Sequence, residues 1–179
     1  MPDARGMLLR GAEPRDAHGI AVVHVRSWQE AYRGLMPQEV LDGLSIADRE
    51  AGWARIIADP AQRSHTLIVE RDGEIVGWAS FGAARDADAV ATGELWGIYA
   101  HPDEWSTGIG RLLLDGVEQQ LRAEGHERAY LWVLAGNDRA ARFYERNGWV
   151  ADGGTKVDER PGLVLHERRH VADLRASAS

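Results

Sequence analysis

WSTGIGRLL, Trp105–Leu113, sets two glycines around Ile109 just where an apolar helical repeat begins. Ile109, Leu112, Leu113, Val117 and Leu121 recur at the spacing of one helix face. Upstream, ELWGIYA (Glu94–Ala100) has the composition of a strand, and Pro102 stops it. The glycines therefore sit in a strand–loop–helix junction. They serve either a turn that needs glycine or a backbone that an anion approaches closely, since a helix N-terminus offers unpaired N–H groups and a partial positive charge. A P-loop would need GxxxxGK[ST], which is missing, and a dinucleotide fingerprint would need a third glycine where Leu113 stands. Taken alone, G-x-G leaves the turn and the anion site both open.

Working outward, MLLR (Met7–Arg10) reads as a first strand, and Ala17, Ile20, Ala21, Val25, Trp28 and Ala31 mark a helix. MPQEVLDGL and SIADREAGWARIIAD follow, with Pro or Ser near each helix start. Asp72-Gly73 between two β-rich runs predicts a hairpin with a primed turn. ARDADAVATG is a polar loop, RAYLWVL a fifth strand, and NDRAARFYERNG a short helix opened by Asn137-Asp138 and closed by Gly148. The remainder alternates enough for a last pair of strands. The expected fold is mixed α/β (α+β): a mostly antiparallel sheet of about seven strands, flanked by helices, with one βαβ crossover in the middle.

Composition narrows the function. The chain has 179 residues, 44% hydrophobic and 27% charged, as an ordinary globular domain has. A net charge of -7 argues against nucleic acid as a partner. No run is long and apolar enough for a membrane span, and the N-terminus lacks a signal-peptide core, so no membrane partner and a cytoplasmic location are expected. Cysteine is absent, which removes disulfides, thiolate zinc sites and an acyl-cysteine intermediate. The seven histidines are scattered without ligand spacing, so no metal is expected.

The segments GELWGIYAHPDEWSTGIGRLLLDGVEQQ and LWVLAGNDRAARFYERNGW together resemble the GNAT N-acetyltransferase superfamily. The resemblance rests on the strand–Pro–loop–GxG–helix unit followed by N-x(6)-Y-x(3)-G-[FW], and SWQEAYRGLMPQEVLDGL looks like the first helices of a common bacterial subgroup. It implies a single domain over residues 1–179, with an acyl-coenzyme A core over about 92–150. Acetyl-coenzyme A becomes the expected cosubstrate. Its pantetheine would pair with Ile98, Tyr99 and Ala100, and its pyrophosphate would meet Ser106, Thr107, Gly108, Ile109, Gly110 and Arg111. Asn137 would cap its helix and bind the cofactor. The family usually carries Gln or Arg at Trp105, so a phosphate contact from that side chain is lost and Ser106, Thr107 or Arg111 would substitute.

The resemblance also implies roles in catalysis. Tyr144 matches the tyrosine that binds the cofactor and protonates the departing thiolate. Glu94 matches a fourth-strand glutamate that acts as general base, which a primary amine needs because its pKa lies near ~10.4. A second family route to a base falls on Trp132 and is closed, leaving His101 in reserve. For the acceptor, Trp28 and Tyr32 are the main candidates, with Glu30, Asp86 and Asp88 behind them, since aromatic and acidic groups suit a cationic amine. The expected activity is transfer of an acetyl group to a small-molecule or peptide amine by direct attack in a ternary complex. The alternative is a catalytically idle acyl-coenzyme A-binding sensor or partner module. A homodimer through the last strands stays an open expectation.

Overall fold

The computed structural model describes residues 6–59, 61 and 64–175. Asp72 and Gly73 take φ of 53° and 83°, the primed turn that this dipeptide favours, and join β2 (Ser64–Arg71) to β3 (Glu74–Ala83). On one side β2 pairs antiparallel with β1 (Met7–Gly11); on the other, β3 pairs antiparallel with β4 (Gly93–Ala100). Helix α4 (Ile109–Ala123) then crosses to β5 (Arg128–Leu134), which runs parallel to β4. The final hairpin, β6 (Val150–Arg160) and β7 (Leu163–Asp173), inserts its second strand beside β5. The sheet order is β1-β2-β3-β4-β5-β7-β6. The expected seven-stranded, mostly antiparallel α/β architecture is the one observed.

Helices α1 (Ala17–Ala31) and α3 (Ile46–Ala58) cover one face, packing Ile20, Ala21 and Trp53 on Ile68 and Trp78. The short α2 (Gln38–Asp42) buries Leu41 beside Tyr32 and Met36. On the opposite face, α4 and α5 (Asp138–Arg146) pack on Val69, Ala79, Phe81 and Leu131. Leu113, Leu114, Val117 and Leu121 of α4 are wholly buried, and each contributes about 1.5–3 kcal/mol through its removal from water. Among the described residues, no helix is long and apolar enough to cross a membrane.

Close contact of α4 with the sheet depends on Gly77. A Cβ there would lie 2.6 Å from Ile109 Cγ2 and 3.2 Å from the Tyr99 carbonyl oxygen, and neither can yield easily. Gly77→Ala is expected to cost about 1–3 kcal/mol by overpacking, seen as a lower urea midpoint. An unchanged midpoint would contradict this packing.

Two departures from regular pairing shape the middle of the sheet. The β3–β4 register moves from Ser80↔Gly97 to Phe81↔Leu95, so Trp96 is an extra, bulged residue. Such a bulge bends a strand and increases its twist. Beyond it, β4 parts from β5: the two pair only at Gly93↔Ala129 and Glu94↔Tyr130. From there a cleft opens between Ile98–Ala100 and α5.

Candidate active site

The cleft contains two cavities. The larger, about 530 Å³, runs from Ile98–Ala100 across the start of α4 to α5. The smaller, about 160 Å³, lies between α1, the bulged part of β4, β5 and the last hairpin. Ile98, Tyr99, Asn137, Ala140 and Tyr144 line both, forming the wall where they meet.

Gly108 caps the start of helix α4 with a φ of 100°, which suits glycine, after Ser106 at 67°. Gly110 has another purpose: a Cβ would sit 3.2 Å from the Phe143 ring, so its missing side chain admits α5. One glycine thus serves the turn and the other the packing of a second helix. The junction as a whole points the N-terminus of α4 into the larger cavity. Of the residues expected at the cofactor, Ile98, Tyr99, Ala100, Ser106, Gly108, Gly110, Arg111, Asn137 and Tyr144 line this cavity. Thr107 and Ile109 do not: the Thr107 hydroxyl donates to the Glu104 carbonyl at 2.7 Å, and Ile109 is part of the core.

Trp105 has a definite place. Its indole N–H donates to the Ala100 carbonyl at 3.0 Å, and the Arg139 guanidinium lies 3.3 Å from the ring centroid. Arg139, Arg142 and Arg146 join Arg111 around the larger cavity, making a cationic rim on an acidic chain. These arginines of α5 were missed in the sequence, although their spacing in RAARFYER puts them near one helix face. Asn137 caps α5, its side-chain oxygen accepting from Ala140 N–H at 3.2 Å, and Gly148 follows the helix at φ 86°.

Tyr144 is buried among Phe143, Trp149 and His170, with ring centroids 5.3–6.3 Å away. Burial, reinforced by the Tyr99 phenol, holds its pKa well above the ordinary tyrosine value. The hydroxyl, protonated at neutral pH like any tyrosine, resists ionisation well into the alkaline range. Tyr32 and Tyr99 share a 2.8 Å hydrogen bond between their hydroxyls, and burial raises both pKa values too. Trp28 stands edge-on to Tyr32 at 5.2 Å, and both line the smaller cavity.

Glu94, expected as general base, occupies a different setting. It is wholly buried and lines neither cavity. Its carboxylate accepts from the Arg85 guanidinium at 2.7 and 3.2 Å, from Arg85 N–H at 2.9 Å and from the Tyr130 hydroxyl at 3.1 Å. These contacts tie the β3–β4 loop to the last paired residues of β4 and β5. His101 also lines neither cavity; its Nδ1 accepts from Asp103 N–H at 3.4 Å, capping a short turn. Among the secondary acceptor candidates, Glu30 pairs with Arg33 at 2.6 Å, Asp86 accepts from the Trp132 indole at 2.8 Å, and Asp88 is exposed. None of the three lines the smaller cavity.

The sheet splits beside the N-terminus of a helix, leaving a cleft able to hold an elongated anionic ligand, and comparison with known proteins shows the family. The model of the Acetyltransferase (GNAT) family matches residues 25–149. The chain is 30% identical over 129 residues to the uncharacterized N-acetyltransferase YuaI of Bacillus subtilis, covering 72% of each. Its fold is similar to the PaiA N-acetyltransferase of Thermoplasma acidophilum solved with coenzyme A (TM-score 0.75, 18% identity, 93% of this chain and 98% of that one). It is also similar to yncA of Salmonella typhimurium with its cofactor acetyl-CoA (TM-score 0.69, 20% identity, 97% and 96% covered). The chain belongs to the GNAT family of acetyltransferases.

Proposed function

We propose that this protein transfers an acetyl group from acetyl-coenzyme A directly to the nitrogen of a primary amine, both bound at once. The observation that carries this reading is the pair of cavities meeting at Tyr99, Asn137 and Tyr144 where β4 leaves β5. The larger suits an elongated, polyanionic thioester. Its phosphates would lie at the N-terminus of α4, held by backbone N–H groups and by Arg111, Arg139, Arg142 and Arg146. Pantetheine would run along Ile98–Ala100, whose side toward β5 is released by the splay. The relatives solved with coenzyme A or acetyl-CoA support the same choice of cosubstrate.

In this arrangement the thioester carbonyl faces the wall between the cavities, and the amine enters from the smaller one past Trp28 and Tyr32. Attack of the nitrogen lone pair forms the amide bond as the carbon–sulfur bond breaks. Tyr144, a phenol that carries its proton at neutral pH, donates to the departing sulfur. Glu94 acts by holding the β4–β5 junction together.

The test is acetyl-CoA-dependent thiol release over a panel of primary amines: aromatic amines, polyamines, aminoglycosides, amino acids and short peptides. Release stimulated by one class supports the enzyme reading. Silence across the panel, with acetyl-CoA still raising the melting temperature, would favour an idle binding module instead.

A further inference from the structure

Resting on that reading, the geometry points to Glu167 as the catalytic base: it receives the ammonium of a monocationic amine with an apolar body and takes its proton before attack. Leu165 and Glu167 alternate to the same face of β7. Leu165 packs with Tyr32, Met36 and Leu41, and Glu167 joins it in lining the smaller cavity that Tyr144 also lines. Trp28, Trp96 and Trp132 supply the apolar walls. Among the described residues, Glu167 is the one carboxylate lining that cavity.

Glu94 and Glu167 differ in what surrounds them. Glu94 is bound at hydrogen-bond distance by a guanidinium and a phenol. Glu167 has Lys156 at 3.6 Å, and that ammonium is shared with Asp86 at 3.8 Å and with the Trp132 ring at 4.5 Å. The other groups facing Glu167 are Asp158 and Arg160 from β6, Tyr32 just after α1 and Tyr99 from β4. Burial outweighs the opposing effect of Lys156, so the Glu167 pKa is raised, which suits a group that must take up a proton and release it again. Arg160 also lines the cavity but is paired with Asp158 at 2.7 Å, so among the described residues no second carboxylate beside Glu167 is left there for the other ammonium of a diamine, which favours a single positive charge on the acceptor.

The protons balance. The ammonium gives one proton to the Glu167 carboxylate, leaving a neutral nitrogen that attacks the thioester carbon. Sulfur leaves with the Tyr144 proton as a thiol. The phenolate regains a proton from the acylated nitrogen, and Glu167 returns its own to solvent.

The experiment compares kcat/KM against pH for wild type, Glu167→Gln and Glu167→Asp, with phenethylamine as acceptor and putrescine as the dicationic comparison. Because the base must be deprotonated and its pKa is raised, wild-type activity should fall on acidification at a pH above the ordinary glutamate value. Glu167→Gln should lose roughly 10²-fold in kcat, lose that acidic limb, and recover part of its rate at high pH, where more amine is neutral. Glu167→Asp should restore the limb, and acetyl-CoA affinity and melting temperature should stay near wild type in both variants. A Gln variant that keeps rate and limb overturns the assignment while leaving acetyl transfer standing. Wild type that acetylates putrescine in preference to phenethylamine also overturns it. Wild type that binds acetyl-CoA yet acetylates no amine sinks both this inference and the reading beneath it.

Discussion

Tyr144→Phe should lower kcat by about 10²–10⁴-fold, the range for loss of a positioned proton donor, while acetyl-CoA affinity and stability stay nearly unchanged. The substitution removes one oxygen and leaves the ring, so packing against Phe143, Trp149 and His170 persists. What disappears is a protonated hydroxyl on a residue of the wall between the two cavities. Sulfur must then leave as an unprotonated thiolate, so the deficit should shrink for thioesters whose thiols are more acidic. Loss of affinity with kcat intact would make Tyr144 a binding residue. No change in either would remove it from the reaction.

Glu94→Ala should cost about 3 kcal/mol of stability, the low end for breaking a buried ion pair because Arg85 retains access to water. The variant leaves the Tyr130 O–H without its acceptor, although that oxygen still accepts from Asp86 N–H, and it releases Arg85 from its carboxylate. Glu94→Gln keeps an acceptor for both partners and should cost less, about 1.5 kcal/mol, the low end for a hydrogen bond to a charged group. Urea midpoints measure both. The kinetic counterpart separates the two glutamates: Glu94→Gln should retain the acidic limb of the pH profile, whereas Glu167→Gln should lose it. Loss of that limb in Glu94→Gln, with stability preserved, would return the role of base to Glu94.

Local chemistry made much of this molecule legible in its sequence. Asp72-Gly73, the Asn137 cap, Gly148 and the apolar face of α4 each specify their structure through neighbouring residues, and each is found as expected. The larger cavity was legible too, because most of its lining comes from one strand–loop–helix unit and the helix after β5. The remainder depends on distant partners. The Trp96 bulge is a mismatch of register between β3 and β4, invisible in either strand alone. Glu94 is claimed by Arg85 and Tyr130, one from a loop and one from the next parallel strand. Glu167 reaches the smaller cavity because β7, rather than β6, lies beside β5, and the alternation of the last two strands does not encode that order. Gly110 was legible as a position that needs space, yet the Phe143 ring that occupies it belongs to another helix.

The most direct measurement follows labelled acetyl from acetyl-CoA, with and without a small primary amine, in protein and product together. The account predicts label in the amide alone, formed only when the amine is present, and none retained on the protein in its absence. Label held by the protein without acceptor, or no transfer to any amine despite acetyl-CoA binding, would contradict direct transfer between the two cavities.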